Sequence, residues 1–432
     1  MKIIKHTDSD FSLLLEAVVN RGNIDLVTHD SSVREILEQV KQGGDTALLK
    51  YTNRFDQHNL LPNKIKVTPE EIDEAHSQVS DEEIVALQAA AKNIREFHEK
   101  QLQQSWEYEK DGILIGQNQR PLAKVGIYVP GGKASYPSSV LMNAVPAKVA
   151  GVGDIVMCSP TPGGVLSAHV LVAAKIAGVD SIFKVGGAQA VGAMAYGTDT
   201  IPRVDKIVGP GNIFVALAKR MVFGVVDIDM IAGPSEILIL ADESARADFI
   251  AADLLSQAEH DEEAVPILVT TSEELAQSVT RQLEQQMARL NRQPIIKESL
   301  NRQCRLFVVG SLDEAIKIAN DIAPEHLELA VRDPQACVGK IKNAGAIFLG
   351  HYTPEAIGDY FAGPNHVLPT SGTARFSSPL GVYDFVKRTS IISYSSDALK
   401  KAAPSITLLA EMEHLDAHAN AVNLRVRESL ED

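Results

Sequence analysis

Of the 432 residues only three are cysteine and one is tryptophan, and no apolar run approaches the roughly 20 residues needed to cross a bilayer. Cys158, Cys304 and Cys337 lie far apart with no paired spacing, which argues against a disulfide framework and predicts a reducing compartment. The opening Met1-Lys2-Ile3-Ile4-Lys5-His6 lacks a signal-peptide core, so the expected location is cytoplasmic. Positive charge is the scarcer sign: 41 Lys and Arg face 56 Asp and Glu, for a net charge of −15. That balance argues against nucleic-acid phosphates or an anionic membrane as the main partner and suits a cationic or neutral small molecule. Also missing is the glycine fingerprint of dinucleotide-binding folds. Gly151-Val152-Gly153 precedes its strand and has no third glycine in register.

What is present reads as a globular α/β protein too long for one hydrophobic core, so two or more lobes are expected. Up to about residue 110 the apolar residues fall at helical spacing, as in Val33, Ile36, Leu37 and Val40, then Ile84, Leu87, Ala91 and Ile94. This predicts a helical lead-in, with Trp106 packed inside. From Lys124 short apolar runs alternate with helical segments. Val125–Val129, Asp154–Cys158, Ser181–Val185, Lys206–Val208, Ile237–Ala241, Val265–Thr270, Leu306–Val309 and Ala346–Leu349 read as strands. Strict alternation predicts two doubly wound parallel-sheet lobes of an incomplete Rossmann-like kind, one inserted in the other, with helical N- and C-terminal extensions. The expected boundaries are an extension over 1–22, a larger lobe over 23–127 and 237–380, an inserted lobe over 128–236, and a helical C-terminal segment over 381–432.

The chemistry-bearing stretches fall around that frame. Three Gly-rich turns follow strands: Pro130-Gly131-Gly132, Gly186-Gly187-Ala188-Gln189 and Gly209-Pro210-Gly211-Asn212. Glycine lets backbone approach a ligand, and a helix start beyond it favours phosphate; tight structural turns are the alternative. Ile228 to His260 reads as a loop with a Gly-Pro turn, a strand and a helix, on which Asp253, Gln257 and His260 share one face. That face presents metal-donor atoms, or else is a polar helix end in solvent. Pro324-Glu325-His326 sets a carboxylate beside an imidazole just after a proline turn, suited to proton transfer from a loop. Gly358 to Thr370, with Asp359 and His366, reads as a long loop, either functional or a solvated connection. The segment from Asp397 reads as helix, and nothing in its spacing singles out His418.

Together these stretches resemble the histidinol dehydrogenase family. The resemblance covers nearly the whole chain and rests on Ala232-Gly233-Pro234-Ser235-Glu236, Ser256-Gln257-Ala258-Glu259-His260, Pro324-Glu325-His326-Leu327, Gly358-Asp359-Tyr360 and Asn365-His366-Val367-Leu368-Pro369-Thr370. It implies a homodimer that oxidises L-histidinol through an aldehyde to L-histidine, consuming one water and reducing two NAD. It implies one zinc ion per subunit, held by Gln257, His260, Asp359 and a His418 from the partner chain. Substrate contacts would come from Ser235, Gln257, His260, His326, Asp359, His366, Glu413 and His418, and cofactor contacts from Tyr128, Gln189 and Asn212. His326 would be the general base and Glu325 the group that activates water for hydrating the aldehyde. Two other classes compete: a zinc hydrolase using Glu325 on metal-bound water, and an imidazole-binding protein without chemistry.

Overall fold

The computed structural model describes residues 2–22, 27–131 and 136–428, so Gly132 of the first Gly-rich turn lies outside it. The chain divides into two compact units, one of residues 1–101 and 122–385 and the other of residues 102–121 and 386–432.

With strands numbered in chain order, the larger unit holds two wholly parallel sheets. The six-stranded sheet runs β1 (Ile3–Lys5), β11 (Arg305–Val308), β10 (Val265–Thr270), β9 (Glu236–Ala241), β12 (His326–Ala330), β13 (Ala346–Leu349). The five-stranded sheet runs β6 (Ser181–Phe183), β5 (Asp154–Cys158), β4 (Lys124–Tyr128), β7 (Lys206–Val208), β8 (Asp227–Ile228). Helices cover both faces of the larger sheet, so its strands need no polar side. Along β9, Leu238 and Leu240 join one core cluster, whereas Ile237, Ile239 and Ala241 join another on the opposite face. A third cluster packs the helix Gly187–Tyr196 and part of the N-terminal helical region against the smaller sheet. The doubly wound α/β class expected from the strand and helix alternation is therefore the class observed.

Several local expectations need correction. The N-terminal region is not purely helical, because Ile3–Lys5 forms an edge strand and Trp106–Lys110 forms β2. His326 lies on no loop; it is the first residue of a buried central strand. Asp359 lies on a short helix, Glu355–Tyr360, rather than in a structureless stretch. Residues 102–121, expected in the larger lobe, belong instead with the C-terminal segment, where β2, β3 (Ile113–Pro121) and β14 (Val386–Tyr394) pair antiparallel. On this small sheet Trp106 is 50% exposed and stacks on Tyr108, so it does not fill a core. The sheet is followed by helices Ser396–Met412 and Asp416–Glu428. No helix among the described residues is long and apolar enough to cross a membrane.

Candidate active site

The polar centre lies at the amino ends of β9 and β12, which pair with His326 opposite Ile237. Ligand sites on open parallel sheets usually lie at the carboxyl ends. The reversal follows from chain direction: the helix Ala247–Ala258 runs back from the top of β9, so the residues at its end return to the strand's start.

Glu236 opens β9 and organises the centre through all three of its polar groups. Its carboxylate takes both arms of Arg21, with Nε at 2.6 Å and Nη2 at 2.5 Å, and also the Ser371 N–H at 2.9 Å. Its own N–H donates to Glu325 Oε2 at 2.8 Å, and its carbonyl accepts from His326 Nδ1 at 2.9 Å. A carbonyl can only accept, so Nδ1 carries a proton, and in the neutral imidazole the lone pair is on Nε2. That Nε2 is buried without a hydrogen-bond partner among the described residues, and Asp359 Oδ1 lies 3.6 Å from it.

Beside the imidazole, donor atoms of His260, Glu355 and Asp359 lie within 4.8 Å of one another. Glu355 is the residue that sequence reasoning missed. The signal existed, since Glu355 and Asp359 stand four apart on one helix and so share a face. Gln257 is fully buried, and its amide nitrogen is placed to donate to Glu355 Oε1 at 3.0 Å and to the Glu236 carbonyl at 2.9 Å, leaving its oxygen for a cation. Asp253 shares the helix but not the cluster, because its carboxyl hydrogen-bonds to that of Glu328. Glu328 Oε1 in turn accepts from the Glu355 N–H at 2.8 Å. His366 donates Nδ1–H to the Asp359 carbonyl at 3.0 Å, and Ser235 is half-buried at the entry to β9.

The electrostatics follow from packing many charges out of water. Burial lifts Glu325 to about 8, against the opposing pull of His326 and the Glu236 N–H. Burial also tends to deprotonate His326, but the carboxylates of Glu355, Glu325 and Asp359 outweigh it and raise its pKa well above the ordinary value. For Asp359 burial is outweighed in the other direction: the imidazoles of His326, His366 and His260 hold it at about 2. His260 and His366 are lowered, chiefly by burial, which opposes protonation of both imidazoles. A divalent cation among these donors would favour the ionised carboxylates and the neutral imidazoles.

The expected cofactor residues gather at the carboxyl ends of the smaller sheet. Tyr128 ends β4, and its hydroxyl accepts the Gly187 N–H at 3.1 Å. Gln189 is buried in the first turn of the helix Gly187–Tyr196 with its Oε1 unpartnered among the described residues. Asn212 caps the helix Ile213–Val222, accepting from the N–H groups of Phe214 at 3.1 Å and Val215 at 3.2 Å. Order 6-5-4-7-8 puts the topological switch between β4 and β7, where Tyr128 and the Gly209 turn meet. Glu413 and His418 belong to the smaller unit and are exposed there.

Comparison with known proteins bears on the whole chain. A model of the histidinol dehydrogenase family matches residues 19–426. A histidinol dehydrogenase of Syntrophotalea carbinolica is 54% identical over 430 residues, covering 99% of this chain and 100% of the relative. One from Caldanaerobacter subterraneus is 55% identical over 412 residues, covering 95% of this chain and 96% of its own. The crystal structure of histidinol dehydrogenase from Elizabethkingia anophelis superposes with a TM-score of 0.93 at 38% identity, covering 100% of this chain and 99% of that one. A family match spanning both parallel sheets and the C-terminal helices, with relatives above half identity along their full length, leaves one assignment: this chain belongs to the histidinol dehydrogenase family and is an oxidoreductase.

Proposed function

We propose that this enzyme oxidises L-histidinol to L-histidine in two successive two-electron steps, with NAD as acceptor and one zinc ion per subunit. The observation that carries the reading is the Nε2 of His326, buried and unpartnered among the described residues, beside a compact set of nitrogen and oxygen donors. Orphaned buried polar atoms are costly, and Glu355 Oε2 is another in the same place. The donor set is of the kind zinc accepts. Gln257, His260 and Asp359 would hold the ion, joined by His418 of the partner subunit. Bound zinc would fix the imidazole and amine of the substrate and so orient its carbinol carbon. NAD, held near Tyr128, Gln189 and Asn212, would accept the hydrides.

The chain's own groups then divide the proton work. His326 Nε2, with its tautomer fixed by the Glu236 carbonyl, takes the hydroxyl proton in the first oxidation. Glu325, held by the Glu236 N–H, activates the water that hydrates the aldehyde, and His326 takes a proton again from the resulting diol. Ser235, His366 and Glu413 of the partner subunit would line the substrate pocket. A covalent thiohemiacetal is disfavoured because all three cysteines are buried, and burial raises each thiol pKa, that of Cys304 to about 12. The homodimer is supported by the smaller unit, which exposes Ile392, Tyr394, Leu408, Leu409 and Met412.

The test is NADH formed from limiting L-histidinol, before chelation, after it and after zinc is restored. Two NADH per histidinol are expected, lost on chelation and recovered with zinc. One per substrate would mean that the aldehyde escapes, and none would favour the hydrolase or binding-protein reading.

Glu355 acts here as a positioning residue, orienting the Gln257 amide. Replacing it with Ala should weaken zinc binding about 10- to 100-fold, as loss of outer-shell partners does at other metal sites. Competition against a chromophoric chelator measures this directly, and unchanged affinity would remove Glu355 from the centre.

A further inference from the structure

Lys219 and Asp229, in the part of the larger unit built on the five-stranded sheet, form a buried ion pair with side chains only 3% and 1% exposed. Neither belongs to the polar centre described above, yet both converge on one residue, Gly209, from its two sides. Lys219 Nζ donates to the Gly209 carbonyl at 2.8 Å, and the Gly209 N–H donates to Asp229 Oδ2 at 2.8 Å. Gly209 follows the last residue of β7 and has φ of +108°, which favours glycine. A Cβ on it would lie 2.1 Å from the carbonyl oxygen of Tyr128.

Each partner ties the turn to a different element. Lys219 lies on the helix Ile213–Val222, whose cap is Asn212, so that helix grips the turn at both ends. Asp229 follows β8, at the head of the stretch leading to Ser235 and Glu236, and its N–H donates to the Ile207 carbonyl at 3.3 Å. For stability alone an apolar pair of similar volume usually serves as well as a buried ion pair. A pair retained in the interior and aimed at the two peptide groups flanking one glycine is better explained by what that turn must hold in place.

We propose that the Lys219–Asp229 pair positions the dinucleotide cradle by locking the Gly209-Pro210-Gly211-Asn212 turn against Tyr128. The inference rests on the reading that Tyr128, Gln189 and Asn212 receive NAD. Lys219 and Asp229 are positioning residues acting through the turn, with no contact to substrate claimed for either.

The experiment measures NAD affinity by calorimetry, zinc content and Tm in the full-length protein. The double variant Lys219→Met with Asp229→Leu removes both charges together, so neither is stranded inside. Asp229→Asn is the milder variant, used if the double variant does not fold. NAD affinity should fall by about tenfold or more, the scale of a misplaced binding group, with zinc content unchanged and KM for NAD rising more than KM for histidinol. Asn212→Ala and Gln189→Ala run alongside as controls. If the controls lose NAD while a folded clamp variant binds it as the unaltered protein does, the clamp is overturned and the cofactor site stands. If the controls bind NAD normally, the cofactor reading itself fails and takes the clamp with it.

Discussion

Replacing His326 with Asn is expected to lower turnover of L-histidinol by about 10³-fold while leaving zinc bound. The size is that of a positioned general base, whose loss typically costs on the order of 10²- to 10⁴-fold. The selectivity comes from geometry. His326 Nδ1 is committed to the Glu236 carbonyl, and Nε2 is the buried end left free. An Asn side chain is shorter and its amide has no proton-accepting nitrogen, so the base is lost. The donors of His260, Glu355 and Asp359 come from other elements and remain. Turnover and zinc content measured on the same preparation decide the matter. Near-normal turnover would mean that another group takes the proton, and loss of zinc would mean that His326 is part of the metal set.

How much of this was legible depends on whether the determining contact is local. The β9 run Ile237-Leu238-Ile239-Leu240-Ala241 reads as a strand because a parallel sheet covered on both faces needs apolar residues at every position. β12 escaped the same reading because its sequence, His326-Leu327-Glu328-Leu329-Ala330, carries a glutamate in the middle. Glu328 is tolerated there only because Asp253 and the Glu355 N–H, both distant in sequence, meet its carboxyl. The antiparallel sheet of the smaller unit escaped for the opposite reason. Trp106-Glu107-Tyr108-Glu109-Lys110 is exposed along its whole length, so burial writes no period into it.

At the centre, pattern and resemblance did different work. Spacing alone brought Gln257 and His260 together, and the structure sets Gln257 against Glu355 and His260 beside Glu355 and Asp359, whereas it turns Asp253 away to Glu328. Glu355 was readable from its four-residue spacing to Asp359, once that segment is taken as a helix. The role of Glu236 was not readable at all. Its sequence neighbours show only a polar residue before an apolar run, while its partner Arg21 lies 215 residues away.

That distant pair carries the second large effect. Glu236→Gln is expected to destabilise the larger unit by about 3–5 kcal/mol, the cost of leaving one buried charge unpaired. The Arg21 side chain is 10% exposed, so water cannot easily replace the carboxylate. Its other hydrogen bonds, to the carbonyls of Val18 and Ile322, do not neutralise it. In a chain of this size the corresponding fall in Tm is about 3–7 °C. Activity should fall further than stability alone explains, because the peptide groups of residue 236 hold Glu325 and His326 in register. Adding Arg21→Met to Glu236→Gln removes the stranded charge and should recover most of the lost Tm without restoring turnover. Calorimetric melting of the three proteins separates the cases: a double variant no more stable than the single one would mean that the pair does not anchor this end of β9, and full recovery of turnover would mean that the site does not depend on it.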